Sequence, residues 1–500
     1  MYNYEWDRLK TWLDQYGVIP DDVMLPEEIT RIDLSGNSLK EIPDSFGMLT
    51  KLIVLNLSNN SLIELPKSMK NLSNLTNIDI RRNNFTDLPD IFSSMSLRSL
   101  NASGNKISDI SKLRDCKELR VLDISSNSLK NIDDIFTSDN EIHSLNLSYN
   151  FIKDLKSVFP LLTKVVRLNL NGNLLKELPK SISKLVSLEE LDVSDNHLET
   201  IDDSFFSLEI ENINFTANRF KSLELQNLNS LEVITLDENP LDKLSLSDDF
   251  APYLREISCD GCGLKEFILP ASNMLERICY SDNEIIEVPK DIVNYQRLQE
   301  LDIDENKIVD LPDTLANLSN LTTLYINGNP LCENAKKIIS ILDPEICDIN
   351  MKSGITIEFA KEEDLKQMAE LLSVLFEIES DFEINFDKQY EGIKYLFESS
   401  GSNLLVAKHD NHVVGMVTMQ RLISSAEGNF IGQIEDLVVK KDYRKMGVGS
   451  RLINRMRSIA QDYGYKRIQL AADINNDNAL QFYTRRGLNR TQLSIYHFTI

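Results

Sequence analysis

Thirteen asparagines (Asn37, Asn60, Asn83, Asn105, Asn127, Asn150, Asn173, Asn196, Asn218, Asn239, Asn283, Asn306 and Asn329) recur every 21 to 23 residues, with one double-length gap. Cys262 fills that gap, so the ladder has fourteen rungs. Each rung repeats the frame of Leu52-x-x-Leu55-x-Leu57-x-x-Asn60-x-Leu62. A unit this short cannot bury its own apolar face, so neighbours must stack into a solenoid. Leu or Ile at positions 1, 4 and 6 should point inward around a short parallel strand. The Asn at position 9 should turn in behind it and satisfy the backbone where the strand bends away. Leu-Pro pairs at Leu65-Pro66, Leu88-Pro89, Leu178-Pro179 and Leu311-Pro312 then end the inner turn and open the outer segment. Fourteen such strands make a curved sheet on the order of 60 Å along its inner face.

Solenoid ends need caps. Residues 4–16 read as an amphipathic helix with Trp6, Leu9 and Leu13 on one side, and Asn334–Leu342 as a short closing helix. Position 5 is Asp or Asn in ten rungs, which reads as a structural polar site. The last concave rungs carry Asp237, Glu238, Glu256, Asp260, Asp282, Glu300, Asp302, Asp304 and Glu305, a solvated face or a docking surface for a basic protein or peptide. Cys259 and Cys262 have CxxC spacing but sit on rung positions with no further ligands nearby, so no metal site is expected. Cys332 and Cys347 could pair only in an oxidising setting.

Charge separates the two parts of the chain. Residues 1–352 hold 35 Lys and Arg against 58 Asp and Glu, whereas residues 353–500 hold 18 against 20. The repeats should therefore repel nucleic acid and favour cationic partners. No secretory signal and no membrane-length apolar run is read, so a cytoplasmic protein is expected. Six cysteines in 500 residues form no disulfide framework.

After about residue 350 the period changes. Ile355–Phe359, Leu404–Lys408, Val413–Arg421, Phe430–Val439, Arg467–Ala471 and Ser494–Ile500 read as strands. Glu362–Phe376, Asp387–Glu398, Gly449–Tyr463 and Asn478–Arg485 read as helices, giving one mixed α/β domain. The strand ending Glu435-Asp436-Leu437-Val438-Val439 leads through a basic turn to Gly447 and Gly449. Two glycines before a helix leave bare N–H groups at a helix N-terminus, a cradle for a diphosphate with Arg444 and Lys445 adding charge. Alone, that loop would also suit a nucleotide, although no Walker lysine-serine pair follows it.

The fourteen-rung frame resembles the leucine-rich repeat family over about residues 29–332. Arg444-x-x-Gly447-x-Gly449 together with Asn476-x-x-Ala479-x-x-Phe482-Tyr483-x-x-x-Gly487-Leu488 resembles the GNAT superfamily of acetyl-CoA-dependent N-acetyltransferases over about residues 354–500. Leu488 departs from the family's common Phe. The fold expected is thus α/β: an N-terminal helical cap at 1–28, a curved parallel-sheet solenoid at 29–350, and a GNAT-like mixed domain at 353–500. The resemblance implies that Leu437, Val438 and Val439 offer main-chain groups to the pantetheine arm. It implies that the N–H groups from Arg444 through Lys445, Met446, Gly447, Val448 and Gly449 to Ser450 bind the pyrophosphate, and that Asn476 contacts the cofactor arm. Tyr483 would protonate the departing thiolate.

The acceptor implied is a primary amine, whether a protein lysine or N-terminus or a small amine. A lysine-like amine of pKa near 10.4 is neutral in only about 1 of 2,500 molecules at pH 7, a deficit of about 4.6 kcal/mol. A base is therefore useful, and the resemblance implies an acid on this strand in that role, with Glu435 the first candidate and Asp436 expected on the opposite face by strand alternation. The oxyanion would be held by a strand N–H near Val438. The resemblance implies that acceptor choice rests on the first two helices and their connection, here the acidic and apolar segment Phe376–Asp387. That segment reads either as a solvated loop with packed aromatics or as an anionic mouth for a polyamine, aminoglycoside or lysine side chain. The polar hairpin tip Ser424–Gly428 could also border the cleft. Three functions follow: an N-acetyltransferase whose repeats recruit a protein, a small-amine acetyltransferase whose repeats localise it, and an adaptor with an inactive transferase domain.

Overall fold

The computed structural model describes residues 2–19, 23–132, 135–342, 347–348, 355–376, 384–399, 401–424, 429–444, 448–472, 479–480 and 483. The chain divides into two compact units, and the second takes in Gln299–Leu311 as well as the segment from Leu321 onward.

Each rung contributes a three-residue strand to a parallel sheet, in the register Arg31↔Val54, Ile32↔Leu55, Asp33↔Asn56. The fourteen rungs from Arg31–Asp33 to Thr323–Tyr325 are followed by a fifteenth strand at Cys347–Asp348, which the repeat frame does not announce. Leu52, Leu55, Leu57 and Leu62 are all buried, as positions 1, 4, 6 and 11 require. Pro66, Pro89, Pro179 and Pro312 each stand immediately before a 3-10 turn, where a fixed φ costs nothing and no N–H is missed.

The asparagine ladder stitches the rungs together. Asn150 Nδ2 donates to Ile124 O at 3.1 Å and Leu147 O at 3.0 Å, and its Oδ1 accepts from Leu129 N–H at 2.9 Å. Cys262 takes the same place with a different atom: its buried thiol donates to Leu236 O at 3.2 Å. Cys259 is wholly buried, and burial with the neighbouring Cys262 pushes its thiol well up. All ten Asp or Asn side chains at position 5 accept the N–H two residues on, from Asp33 with Ser35 at 2.9 Å to Asp302 with Asp304 at 3.1 Å. They close the strand ends, as the structural reading expects. Position 8 has φ between 50° and 70° in every rung, although only Gly36, Gly104, Gly172, Gly261 and Gly328 are glycines there.

Helix α1 (Tyr2–Asp14) buries Trp6, Leu9 and Leu13, and Trp6 Nε1 donates to Met24 O at 2.8 Å. Helix α2 (Glu333–Ile341) buries Ala335, Ile338 and Ile339.

The C-terminal domain is built on a five-stranded sheet of β1 (Ile355–Phe359), β2 (Ser402–His409), β3 (His412–Ser424), β4 (Asn429–Val439) and β5 (Ile468–Leu470), in that order. All neighbours are antiparallel except β4 and β5, which are parallel. Helices α3 (Leu365–Phe376) and α4 (Phe386–Glu398) pack on one face through Leu365, Met368, Leu372 and Ile393 against Leu404, Val406 and Met416. Helix α5 (Val448–Asp462) packs on the other through Val448, Leu452 and Met456 against Leu405, Ala407 and Val417. Alternation along β2 thus feeds two cores. Lys408, which is buried, is neutralised by Glu358 at 2.6 Å and the buried Asp364 at 2.8 Å, tying the start of α3 to the sheet. Residues 377–383, 425–428 and 484–500 lie outside the described residues, and with them most of the acceptor segment, the hairpin tip and the expected final strand.

Candidate active site

The two strands at the centre of the site part company midway. β4 pairs with β5 at Gly432↔Ile468, Gln433↔Gln469 and Ile434↔Leu470, and the pairing ends there. β4 continues to Val439, while Ala471 and Ala472 belong to no strand. Leu437, Val438 and Val439 therefore pair only with β3 among the described residues, at Val417, Met416 and Gly415. Their other edge pairs with no strand among the described residues, and an unpaired strand edge can receive an extended ligand. Arg444, which is exposed, donates from Nε to Val439 O at 2.9 Å, so that carbonyl is already engaged.

Helix α5 begins at Val448, so Gly449 stands in its first turn and not before it as the sequence suggests. Gly415 on β3 lets it come close: a Cβ there would lie 3.0 Å from Val448 Cγ1 and 3.2 Å from Leu452 Cδ1. Val448 is buried and Gly449 half-buried, at the helix end whose N–H groups have no intrahelical acceptor. Of the expected diphosphate residues, Lys445, Met446 and Gly447 lie outside the described residues, as do the Ser450 side chain and Asn476. Tyr483 is described as half-buried in a helical turn. The turn before the loop is braced by Tyr443, whose hydroxyl lies 3.0 Å from His409 Nδ1.

The acidic pair departs from simple alternation. Val417 pairs with Leu437 and Met419 with Ile434, so Thr418 alone faces both Glu435 and Asp436. This two-against-one bulge re-phases β4, and Ile434 and Leu437 both join the α5 core although three residues apart. Asp436 Oδ2 accepts from Thr418 Oγ1 at 2.8 Å, and Glu435 Oε1 accepts from Gln420 Nε2 at 3.4 Å. Thr418 and Gln420 are two apart on β3 and share a face, so both acids lean to one side, not to opposite sides as alternation predicts. Glu435 is exposed and Asp436 half-buried. Burial pushes the Asp436 carboxyl up to about 6 against the Thr418 hydrogen bond, with the Glu435 charge adding to the rise. Two adjacent acids in mid-strand were the available signal for the bulge. Thr418 and Gly415 carried none.

In the repeats, part of the acidic row proves structural. Asp237 Oδ1 accepts from Asp260 N–H at 2.8 Å, Asp260 Oδ1 from Ser281 N–H at 2.7 Å, and Asp304 Oδ1 from Asn327 N–H at 2.5 Å. Each binds the following rung. Glu256 pairs with Arg277 at 2.8 Å, whereas Glu238 and Asp282 are exposed.

Residues 365–488 match the model of the acetyltransferase (GNAT) family. Residues 27–84, 140–198 and 275–331 match a leucine-rich repeat model, with further repeat matches at 96–137 and 74–95. The chain carries leucine-rich repeats and a GNAT acetyltransferase domain. Its acetyltransferase domain is similar to an uncharacterized N-acetyltransferase of Methanocaldococcus jannaschii, 25% identical over 153 residues, which span 29% of this chain and 65% of that protein. It is also similar to an N-alpha-acetyltransferase of Arabidopsis thaliana, 31% identical over 93 residues, 19% of this chain and 47% of that one. The chain thus spans less than two thirds of either relative. The functional domain of InlJ from Listeria monocytogenes shares the repeat fold, with a TM-score of 0.51 and 15% identity over 82% of this chain and 90% of that one. GNAT acetyltransferases take their acetyl group from acetyl-CoA. No helix among the described residues is long and apolar enough to cross a membrane.

Proposed function

We propose that this protein is an acetyl-CoA-dependent N-acetyltransferase acting on a primary amine, with residues 1–28 capping a repeat scaffold at 29–350 that recruits a protein to the catalytic domain at 353–500. The observation that carries the reading is the parting of β4 from β5 after Ile434↔Leu470, with the start of α5 following on the same strand. A thioester donor bound there supplies the activated acetyl group. Leu437 and Val438 would lie along its arm, the N–H groups from Arg444 to Ser450 would take its pyrophosphate, and Asn476 would contact the arm. A carboxylate of the Glu435–Asp436 pair would receive the amine proton, a Val438-region N–H would face the oxyanion, and the Tyr483 hydroxyl would protonate the leaving thiolate.

The name of the plant relative, an N-alpha-acetyltransferase, supports an α-amino or comparable primary amine as acceptor. The open acids of the repeats, Glu238 and Asp282, favour a basic protein as the recruited partner. Calorimetry of the full chain with acetyl-CoA tests the first step, and labelled acetyl transfer to lysate proteins tests the second. Absence of a binding heat together with absence of label would remove the enzymatic reading. Label that persists unchanged on deletion of residues 1–352 would remove the recruiting role.

A further inference from the structure

We infer that the two adjacent acids divide the work: Asp436 takes the proton from the acceptor amine, and Glu435 attracts and holds the cationic acceptor without exchanging a proton. The inference rests on the acetyltransferase reading above and deepens it. Its basis is the bulge, which sets both side chains on the face of Thr418 and Gln420 while giving them unlike surroundings.

Asp436 is half-buried and locked. Its own N–H donates to Thr418 Oγ1 at 3.2 Å, and the Thr418 hydroxyl returns a hydrogen bond to Oδ2 at 2.8 Å. Thr418 is fully buried, and Oδ1, which takes no hydrogen bond among the described residues, is the oxygen left to receive a proton. Glu435 is exposed and, among the described residues, held only by the long contact to Gln420. Of two adjacent carboxyls, the one whose proton affinity burial lifts toward the operating pH is suited to serve as base. Burial lifts Asp436 to about 6, within reach of neutral pH. The charged group acting on it, among the described residues, is Glu435 on its own strand. β3 presents neutral Thr418 and Gln420, and α3 presents Met368, Leu371 and Leu372 to that side of the sheet.

In the step proposed, an N–H bond of the acceptor ammonium breaks and its proton moves to Asp436 Oδ1. The freed nitrogen lone pair is then available for the thioester carbonyl, and the carboxylic acid returns its proton to water once product has left.

Two measurements on the full chain decide the matter. The first is infrared titration of the protonated-carboxyl band in an Asp304→Asn background, since burial also lifts Asp304 to about 6. A band that disappears near pH 6 should persist in Glu435→Gln, vanish in Asp436→Asn, and move to higher pH in Thr418→Val, which loses a donor to the ionised form. The second is acetyl transfer to n-butylamine and to hydroxylamine, the latter already neutral at pH 7. Asp436→Asn should lose about 100-fold or more on n-butylamine and far less on hydroxylamine. Glu435→Gln should raise the KM for n-butylamine while keeping the acid limb of the rate profile. A band or an acid limb that follows Glu435 overturns the assignment. Wild-type protein that binds acetyl-CoA, shows the Asp436 band and acetylates neither amine would overturn the reading of the domain as an amine acetyltransferase and the division of the pair with it. Acetylation of both amines with the band or the acid limb on Glu435 would overturn the division alone.

Discussion

Thr418 holds Asp436 at both ends, accepting from its N–H at 3.2 Å and donating to its Oδ2 at 2.8 Å. One buried hydroxyl thereby fixes both the bulge in β4 and the orientation of the carboxylate that the bulge displays.

That arrangement has a consequence for stability. Burial raises the Asp436 carboxyl from 3.8 to about 6, so its contribution to folding is complete below pH 4 and is lost as pH rises through 6. Hydrogen exchange of β4 peptides should show wild-type protection declining relative to Asp436→Asn between pH 4 and pH 7. A difference that stays flat over that interval would mean that the carboxyl titrates as if exposed.

Gly415 sets how closely α5 approaches the sheet. A Cβ there would stand 3.0 Å from Val448 and 3.3 Å from the Val438 carbonyl oxygen. Gly415→Ala should therefore cost about 1–3 kcal/mol by overpacking and raise the KM for acetyl-CoA more than it lowers kcat. Calorimetric affinity for acetyl-CoA, compared with wild type, checks it; equal affinity would show that the helix start has room to spare.

Removing one rung of the asparagine ladder should be expensive. Asn150→Ala leaves the buried Leu129 N–H without its acceptor, whereas Ile124 O and Leu147 O each keep a second donor, Asn127 Nδ2 at 3.1 Å and Asn173 Nδ2 at 3.0 Å. At about 1–3 kcal/mol for a buried polar group left unsatisfied, a loss of about that size is expected. Urea unfolding followed by the fluorescence of Trp6 and Trp12 measures it. Cys262→Asn, by contrast, should be tolerated, because the thiol already donates to Leu236 O from the same place.

The left-handed residue of each rung gives a paired test. Ala217 has φ 53° and should gain about 0.5–1 kcal/mol on change to Gly, the relief of αL strain exceeding the added chain entropy. Gly172→Ala should do the reverse. It would put a Cβ 2.7 Å from Tyr149 Cδ1 in a backbone held at φ 65°. Shifts of the urea midpoint in the same direction for both variants would refute this account.

The repeats were legible because their determinants are local and recur. Each Asn, each position-5 acid and each Leu-Pro meets the same neighbours in every rung, so a period in the chain becomes a period in space. Trp6, Leu9 and Leu13 likewise announced the cap by their spacing. The helices and strands of the second domain, from Ile355–Phe359 through α5, followed from their own patterns to within a few residues.

Which side Asp436 takes could not be read in this way. A bulge is a count of two residues against one across a pair of strands, and Met419↔Ile434 and Val417↔Leu437 exist only once β3 and β4 have met. The closeness of α5, set by Gly415 against Val448 and Leu452, and the Lys408–Asp364 pair that anchors α3 are also meetings of distant segments. The order of residues by itself therefore determined the ladder, the elements and the motif. Only tertiary structure decided which side chains share a face, because strand register is settled by partners far apart in the chain.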